Sequence, residues 1–250
     1  MTNSNAVYIV TGAGSGMGRA ITRSLLADGQ RVVLVGRREE ALRETAGDQA
    51  GGSNASIVAA DLSTPEGAEK LASSLTNQAV RAFVSAAGGQ GDFYKQEFTV
   101  EEAEADWNAA LRKNLFTAVL PIEAVLSNIE KGGRIVLIGS TSGVDGKGGP
   151  YATAKAALHG YCRDLARRVG EKCVCANVVA PGFVADTEFF EAGGFGDAAQ
   201  MVDRVASETL VGRVGTSDDI VGCVRWLLSD SGGWVTGQII SPNGGQVLVG

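Results

Sequence analysis

Apolar runs of strand length alternate with helical periods from one end of the chain to the other. The runs are Val7–Thr11, Arg31–Val35, Ser56–Ala60, Ala79–Ser85, Arg134–Ile138, Cys173–Val179 and Gln238–Ser241, and they are apolar almost throughout. A strand with one wet face alternates apolar and polar residues. Continuous runs instead predict parallel strands covered by helices on both faces. Between them, Met17, Ile21 and Leu25 recur at helical spacing, as do Ile220, Val224, Leu227 and Leu228, the latter after the start signal Thr216-Ser217-Asp218-Asp219. The segment Glu101–Glu130 reads as helix, and its Pro121 predicts a kink or break there. With no linker visible, the expected fold is α/β: a single doubly wound domain, a seven-stranded parallel sheet with helices on both faces, spanning residues 1–250.

Composition narrows the partners. Hydrophobic residues make up 44% of the 250, charged residues 20%, and 35 glycines against 5 prolines suit tight turns between many short elements. A net charge of -6 without a basic tail argues against nucleic acid. No basic run leads into a long apolar stretch, and no run reaches membrane-spanning length. The expectation is a cytoplasmic protein with small-molecule partners, no membrane and no metal. Cys162, Cys173, Cys175 and Cys223 lack the spacing of a zinc site or a disulfide framework, and they read as reduced, buried thiols, with Cys173 and Cys175 on one face of a strand.

Candidate chemistry begins at Thr11-Gly12-Ala13-Gly14-Ser15-Gly16-Met17-Gly18, between the first run and the first helix. Its glycines let backbone N–H groups approach a pyrophosphate at a helix N-terminus. After the second run, where an NAD enzyme is expected to carry an acidic residue for the ribose hydroxyl, the chain reads Gly36-Arg37-Arg38. Guanidinium groups there attract a 2′-phosphate, so NADP(H) is favoured over NAD(H), with Arg37 the stronger candidate. A solvated pair opening a helix is the plainer reading, above all of Arg38.

Tyr151-Ala152-Thr153-Ala154-Lys155 follows Pro150, which suits the first turn of a helix. Residues four apart point the same way, and a neighbouring ammonium lowers the pKa of a phenol toward the working range. Tyr151 is then able to exchange a proton with a carbonyl or alcohol oxygen. Ser140, at the end of the run Arg134–Ile138, is placed to donate a hydrogen bond to the same oxygen. The single histidine, His159, lies two helical turns from Tyr151, about 12 Å along the axis, too far for direct transfer.

The Thr-Gly-x-x-x-Gly-x-Gly loop with Tyr-x-x-x-Lys and an upstream serine resembles the short-chain dehydrogenase/reductase family over essentially the whole chain. The resemblance implies a Rossmann-like fold, a cofactor-binding part at about 1–135, a catalytic and substrate part at about 136–250, and a lid at about 183–207. It implies phosphate contacts at Gly12, Ser15, Gly16, Met17 and Gly18, and adenine contacts at Asp61-Leu62. It places Ala87 and Gly88 on the cofactor face, and Pro181, Gly182, Val184 and Thr187 around the nicotinamide. Tyr151 becomes the acid/base, Lys155 its pKa modifier and ribose contact, Ser140 the substrate-oxygen donor, and Asn114 the holder of a water between lysine and solvent. Asn243-Gly244-Gly245 resembles the family's terminal turn, and a homotetramer or homodimer is implied.

Two departures bear on the site. Ser85-Ala86-Ala87-Gly88 stands where the family usually has Asn-Asn-Ala-Gly, and Ser140 precedes Tyr151 by eleven positions, two fewer than is common. Gly143, Gly146, Gly148 and Gly149 allow a shorter loop, and Ser142 competes as donor. The expected activity is hydride transfer between NADP(H) and a ketone or secondary alcohol. Alternatives are a carrier- or CoA-bound 3-oxoacyl substrate, for which Arg163, Arg167, Arg168 and Lys172 offer a basic patch, and a non-catalytic NADP(H) sensor. The irregular stretches Gly88–Val100 and Phe183–Val205 are the expected substrate loops. Their Phe93, Tyr94, Phe98, Phe189, Phe190, Phe195 and Met201 suit either an apolar ketone or a simple lid over the core, which Gly193, Gly194 and Gly196 allow to move.

Overall fold

The computed structural model describes residues 5–76, 78–89, 98–187 and 198–248. Seven strands, β1 (Val7–Thr11), β2 (Val32–Gly36), β3 (Ala55–Ala59), β4 (Val80–Ser85), β5 (Ile129–Ile138), β6 (Cys175–Val179) and β7 (Ile239–Ile240), form one sheet in the order β3-β2-β1-β4-β5-β6-β7. Every pairing is parallel. Successive strand residues face opposite sides, so apolar runs feed two cores at once. Ile9, Val33, Phe83, Ile135 and Val178 pack under α3 (Pro65–Ser74), α5 (Thr117–Val125) and α7 (Gly149–Val169) through Leu71, Ile122, Leu158 and Leu165. Val10, Leu34, Val84, Val136 and Val179 pack on the other face under α1 (Gly16–Ala27), α2 (Glu39–Ala46) and α9 (Ser217–Leu228) through Ile21, Leu25, Leu42, Ile220 and Val224. The expected doubly wound sheet with helices on both faces is the architecture observed.

The start of α9 follows its signal, with the Asp219 carboxylate accepting from Thr216 N–H at 2.8 Å. Other expectations need correction. Cys173 is not on a strand: it is exposed in a left-handed turn (φ 56°) before β6, so it shares no strand face with Cys175. Of the four free thiols only Cys162 and Cys175 are buried, and Cys223 is half-buried. Pro121 does not end its helix. The break falls earlier, in a π turn at Arg112–Phe116 between α4 (Val100–Leu111) and α5. The proline ring crowds the carbonyl four residues back, Thr117, and the wide turn immediately before that residue gives it room.

Irregularity is likewise shorter than expected: Val100 opens α4, and Val205 lies in α8 (Ala198–Glu208). Phe93, Tyr94, Phe189, Phe190, Gly193, Gly194, Phe195 and Gly196 lie outside the described residues. Among the described residues no helix is long and apolar enough to cross a membrane. Strand order reverses direction beside β1, which pairs with β2 on one side and β4 on the other. In such sheets the crevice for a ligand opens at the carboxyl ends of those strands.

Candidate active site

The glycine loop turns the chain from β1 into α1 at that crevice. Its tightness is visible at Gly18, where a Cβ would stand 2.2 Å from the Gly12 carbonyl oxygen, so a side chain there would force the loop apart. Ser15 occupies the N-cap without a side-chain bond to the helix amides, which leaves first-turn N–H groups to meet an anion. Arg19 holds the loop from behind, donating Nη2 to the Gly14 carbonyl at 2.7 Å and pairing Nη1 with Glu44 at 3.2 Å. Motif reading passed over this residue because its work is done through a backbone carbonyl.

One cavity of about 390 Å³ gathers Gly12, Gly14, Ser15, Arg37, Arg38, Asp61, Leu62, Ala87 and Gly88. Arg37 is close enough to Asp61 to help lower the carboxylate's pKa, although the leading cause is a backbone bond from Ser63 N–H, reinforced by the Ser63 hydroxyl. Arg112 and Lys113 from the π turn add two further cationic side chains to the same wall. Glycine-loop amides and arginine side chains lining one cavity are the kinds of donor a phosphorylated dinucleotide requires.

Family asparagines are absent at the end of β4, and threonines hold that strand instead. Thr11 Oγ1 accepts from Ala87 N–H at 3.1 Å, and Thr117 Oγ1 donates to the Ala87 carbonyl at 3.3 Å. Asn114, buried in the π turn, donates to the Gly89 and Ala110 carbonyls at 3.0 and 3.2 Å and accepts from Gly89 N–H at 3.0 Å. Its Oδ1 and Lys155 Nζ both rest against Gly88, where a Cβ would lie 2.9 and 3.3 Å from them. Sequence spacing pointed to Asn114, but not to this direct hold on Gly88-Gly89.

Of the catalytic candidates, Ser140, its competitor Ser142 and Tyr151 line a second cavity of about 520 Å³, together with Pro181, Gly182, Val184, Thr187 and Met17, while Lys155 and Asn114 lie buried outside its lining. Tyr151 and Lys155 lie on one face of α7, both buried. Lys155 Nζ donates to the Ile138 carbonyl at 2.9 Å and lies 5.8 Å from the Tyr151 ring centre. Burial lowers the lysine to about 8. It raises Tyr151 to about 12, opposed by a hydrogen bond with Ser140. Burial is thus the leading cause of the raised phenol pKa, and the Ser140 hydrogen bond opposes it.

Ser140 Oγ accepts from Ser142 N–H at 3.1 Å, which turns its own hydrogen toward the phenol oxygen. The short Ser140–Tyr151 interval closes through α6 (Ser142–Asp145), pressed so tightly on α7 that a Cβ on Gly143 would stand 2.8 Å from Ala156 N. Val184 bridges to Gly215, and Thr187 Oγ1 donates to the Val184 carbonyl at 3.0 Å while resting against Gly16. Asn177, by contrast, faces away from this chemistry and joins β6 to the chain entering β7 through Val235 and Gln238. His159 is half-buried on α7 and does not line this cavity.

The fold agrees with the comparisons. The family model described as enoyl-(acyl carrier protein) reductase matches residues 12–246. The chain belongs to the short-chain dehydrogenase/reductase family. The 3-oxoacyl-[acyl-carrier-protein] reductase of Escherichia coli is 30% identical, covering 97% of this chain and 98% of that protein. A short-chain dehydrogenase/reductase oxidoreductase from Burkholderia thailandensis superposes with TM-score 0.86 at 32% identity, covering 98% and 93% of the two chains. A blue fluorescent protein from a metagenomic library, solved in complex with NADPH, superposes with TM-score 0.83 at 27% identity over 98% and 99%. The protein is thus an oxidoreductase of a family that binds a nicotinamide cofactor.

Proposed function

We propose that this enzyme is an NADP(H)-dependent carbonyl reductase, interconverting a ketone and a secondary alcohol. The observation that carries the reading is the pair of hydroxyls, Ser140 bonded to Tyr151, facing the cavity from above a buried lysine. Gly12, Ser15, Gly16, Met17 and Gly18 would hold the cofactor phosphates, Asp61 and Leu62 the adenine, and Arg37 with Arg38 a 2′-phosphate. Ala87, Gly88, Pro181, Gly182, Val184 and Thr187 would frame the nicotinamide end. When bound, the nicotinamide supplies the hydride that reaches the carbonyl carbon.

The chain's own residues manage the proton. Tyr151, a phenol protonated at neutral pH, and Ser140 present two donors to one carbonyl oxygen, and the proton on Tyr151 Oη passes to it. Lys155, lowered to about 8, is poised to replace that proton, with Asn114 fixing Gly88-Gly89 beside it. The single-domain division at about 135 and the lid at about 183–207 belong to this reading. So does assembly into a homodimer or homotetramer, which the exposed Leu210, Val211, Trp234 and Leu248 support. The four free thiols suit a reducing compartment, and we place the enzyme in the cytoplasm.

A second reading, a carrier-bound 3-oxoacyl substrate, is favoured by the Escherichia coli relative. Against it, Arg168 of the basic patch is neutralised by Glu123 and Asp164 at 2.7 and 3.2 Å. That residue also lies seventeen positions along α7 from Tyr151, about 25 Å at helical rise. Following NADPH oxidation across a ketone panel tests the main reading. Turnover is expected, falling about a hundredfold or more in Tyr151→Phe while NADPH binding persists. Tight NADPH binding without turnover of any carbonyl would replace it with the sensor role.

A further inference from the structure

Four charged side chains line the cavity that holds Ser140 and Tyr151: Asp145, Lys147, Arg204 and Glu208. Three are engaged. Lys147 Nζ lies 3.4 Å from the Asp145 carboxylate, and Glu208 accepts from Gln246 Nε2 at 3.2 Å. Glu208 sits four residues after Arg204 on α8, the spacing at which such side chains commonly pair, yet it turns to Gln246 instead. Among the described residues the Arg204 guanidinium has no ion pair or hydrogen bond. It shares the cavity with the apolar side chains Met201, Val205, Phe183, Val184 and Val247.

We propose that the substrate is an anionic ketone, an oxo-carboxylate whose carboxylate pairs with Arg204 while its carbonyl oxygen meets Ser140 and Tyr151. The proposal rests on the carbonyl-reductase reading and names its substrate class. A planar guanidinium matches a carboxylate through two parallel hydrogen bonds, and the apolar side chains lining the same cavity suit a hydrocarbon or aryl spacer. The two acidic and two basic side chains of the lining sum to zero, so a carboxylate brings a single excess negative charge. A phosphate dianion would carry excess negative charge into a site already holding Asp145 and Glu208, so a carboxylate is the better fit.

Aryl oxo-acids with successively longer methylene spacers, each compared with its methyl ester, test this in the wild type, Arg204→Gln and Arg204→Lys with NADPH. In the wild type the best-fitting acid should exceed its ester about tenfold in kcat/KM, chiefly through KM. Arg204→Gln should abolish that preference while leaving ester turnover within about twofold, and Arg204→Lys should keep part of it. Acids no better than esters at every length, or a preference that survives Arg204→Gln, would overturn the assignment. If neither acids nor esters turn over, the carbonyl-reductase reading fails on its own. Calorimetric titration of the same acids then decides Arg204 separately: tighter binding to the wild type than to Arg204→Gln supports it, and equal binding overturns it.

Discussion

Replacing Lys155 with methionine separates what the buried ammonium costs from what it does. Lys155 is 5% exposed, its Nζ donates to the Ile138 carbonyl, and its pKa is lowered from 10.5 to about 8 by desolvation. A displacement of that size disfavours the buried charge by about 3 kcal/mol. At pH 7 the folded and unfolded chains both carry the proton, so the folded state bears the whole penalty. Between about pH 8 and 10.5 the folded lysine has released its proton while the unfolded chain retains it. The unfolded state then binds more protons, and stability rises with pH.

Tyr151 acts in the opposite sense. Its folded pKa is raised from 10.0 to about 12, so its contribution is complete below 10 and lost as pH climbs through 12. It stays in the variant, and comparing the two proteins isolates Lys155. Methionine removes the charge but leaves the Ile138 carbonyl without its donor, at a cost of about 1–3 kcal/mol. Lys155→Met should therefore equal or exceed the wild type by up to about 2 kcal/mol at pH 7, and lose about 3 kcal/mol of that comparison by pH 10 to 11, while ketone reduction collapses. Urea unfolding across this range, with matched m-values, measures the difference. A stability gap constant with pH would refute the buried-ammonium reasoning.

Arg37→Ala should raise the Michaelis constant for NADPH about tenfold and leave that for NADH nearly unchanged, and equal effects on both would remove the 2′-phosphate role. Ser140→Ala should lower kcat/KM for ketone reduction about a hundredfold, against about threefold or less for Ser142→Ala, since only Ser140 bonds Tyr151; a reversed order would move the donor to Ser142. Asn114→Ala strips three hydrogen bonds from the site and should lower kcat about tenfold with a smaller change in NADPH affinity, measured by fluorescence titration. Affinity loss without slower turnover would reduce Asn114 to a cofactor scaffold.

Much of this enzyme is written locally. Continuous apolar runs demand helices on both sheet faces, the glycine loop can make only a tight turn into a helix, and a four-residue interval puts Tyr151 and Lys155 on one face wherever α7 lies. Arg37 stood out because it follows β2 where an NAD enzyme is expected to carry a carboxylate. Local pattern failed where the outcome depended on what packs against a residue. Cys173 reads as strand but takes the turn before β6, and Pro121 shifts its disturbance upstream into the π turn that carries Asn114.

Tertiary structure alone decided between Ser140 and Ser142 as the neighbour of Tyr151, because the choice depends on how α6 lies against α7. It also raised the phenol's pKa through burial, since desolvation comes from atoms distant in sequence. Among the described residues it also left Arg204 without a partner in the cavity that holds Ser140 and Tyr151, which is invisible in a helix whose Arg204 and Glu208 are spaced to neutralise each other. Sequence determines which side chains can share a face. Only the folded chain determines which of them are already spoken for.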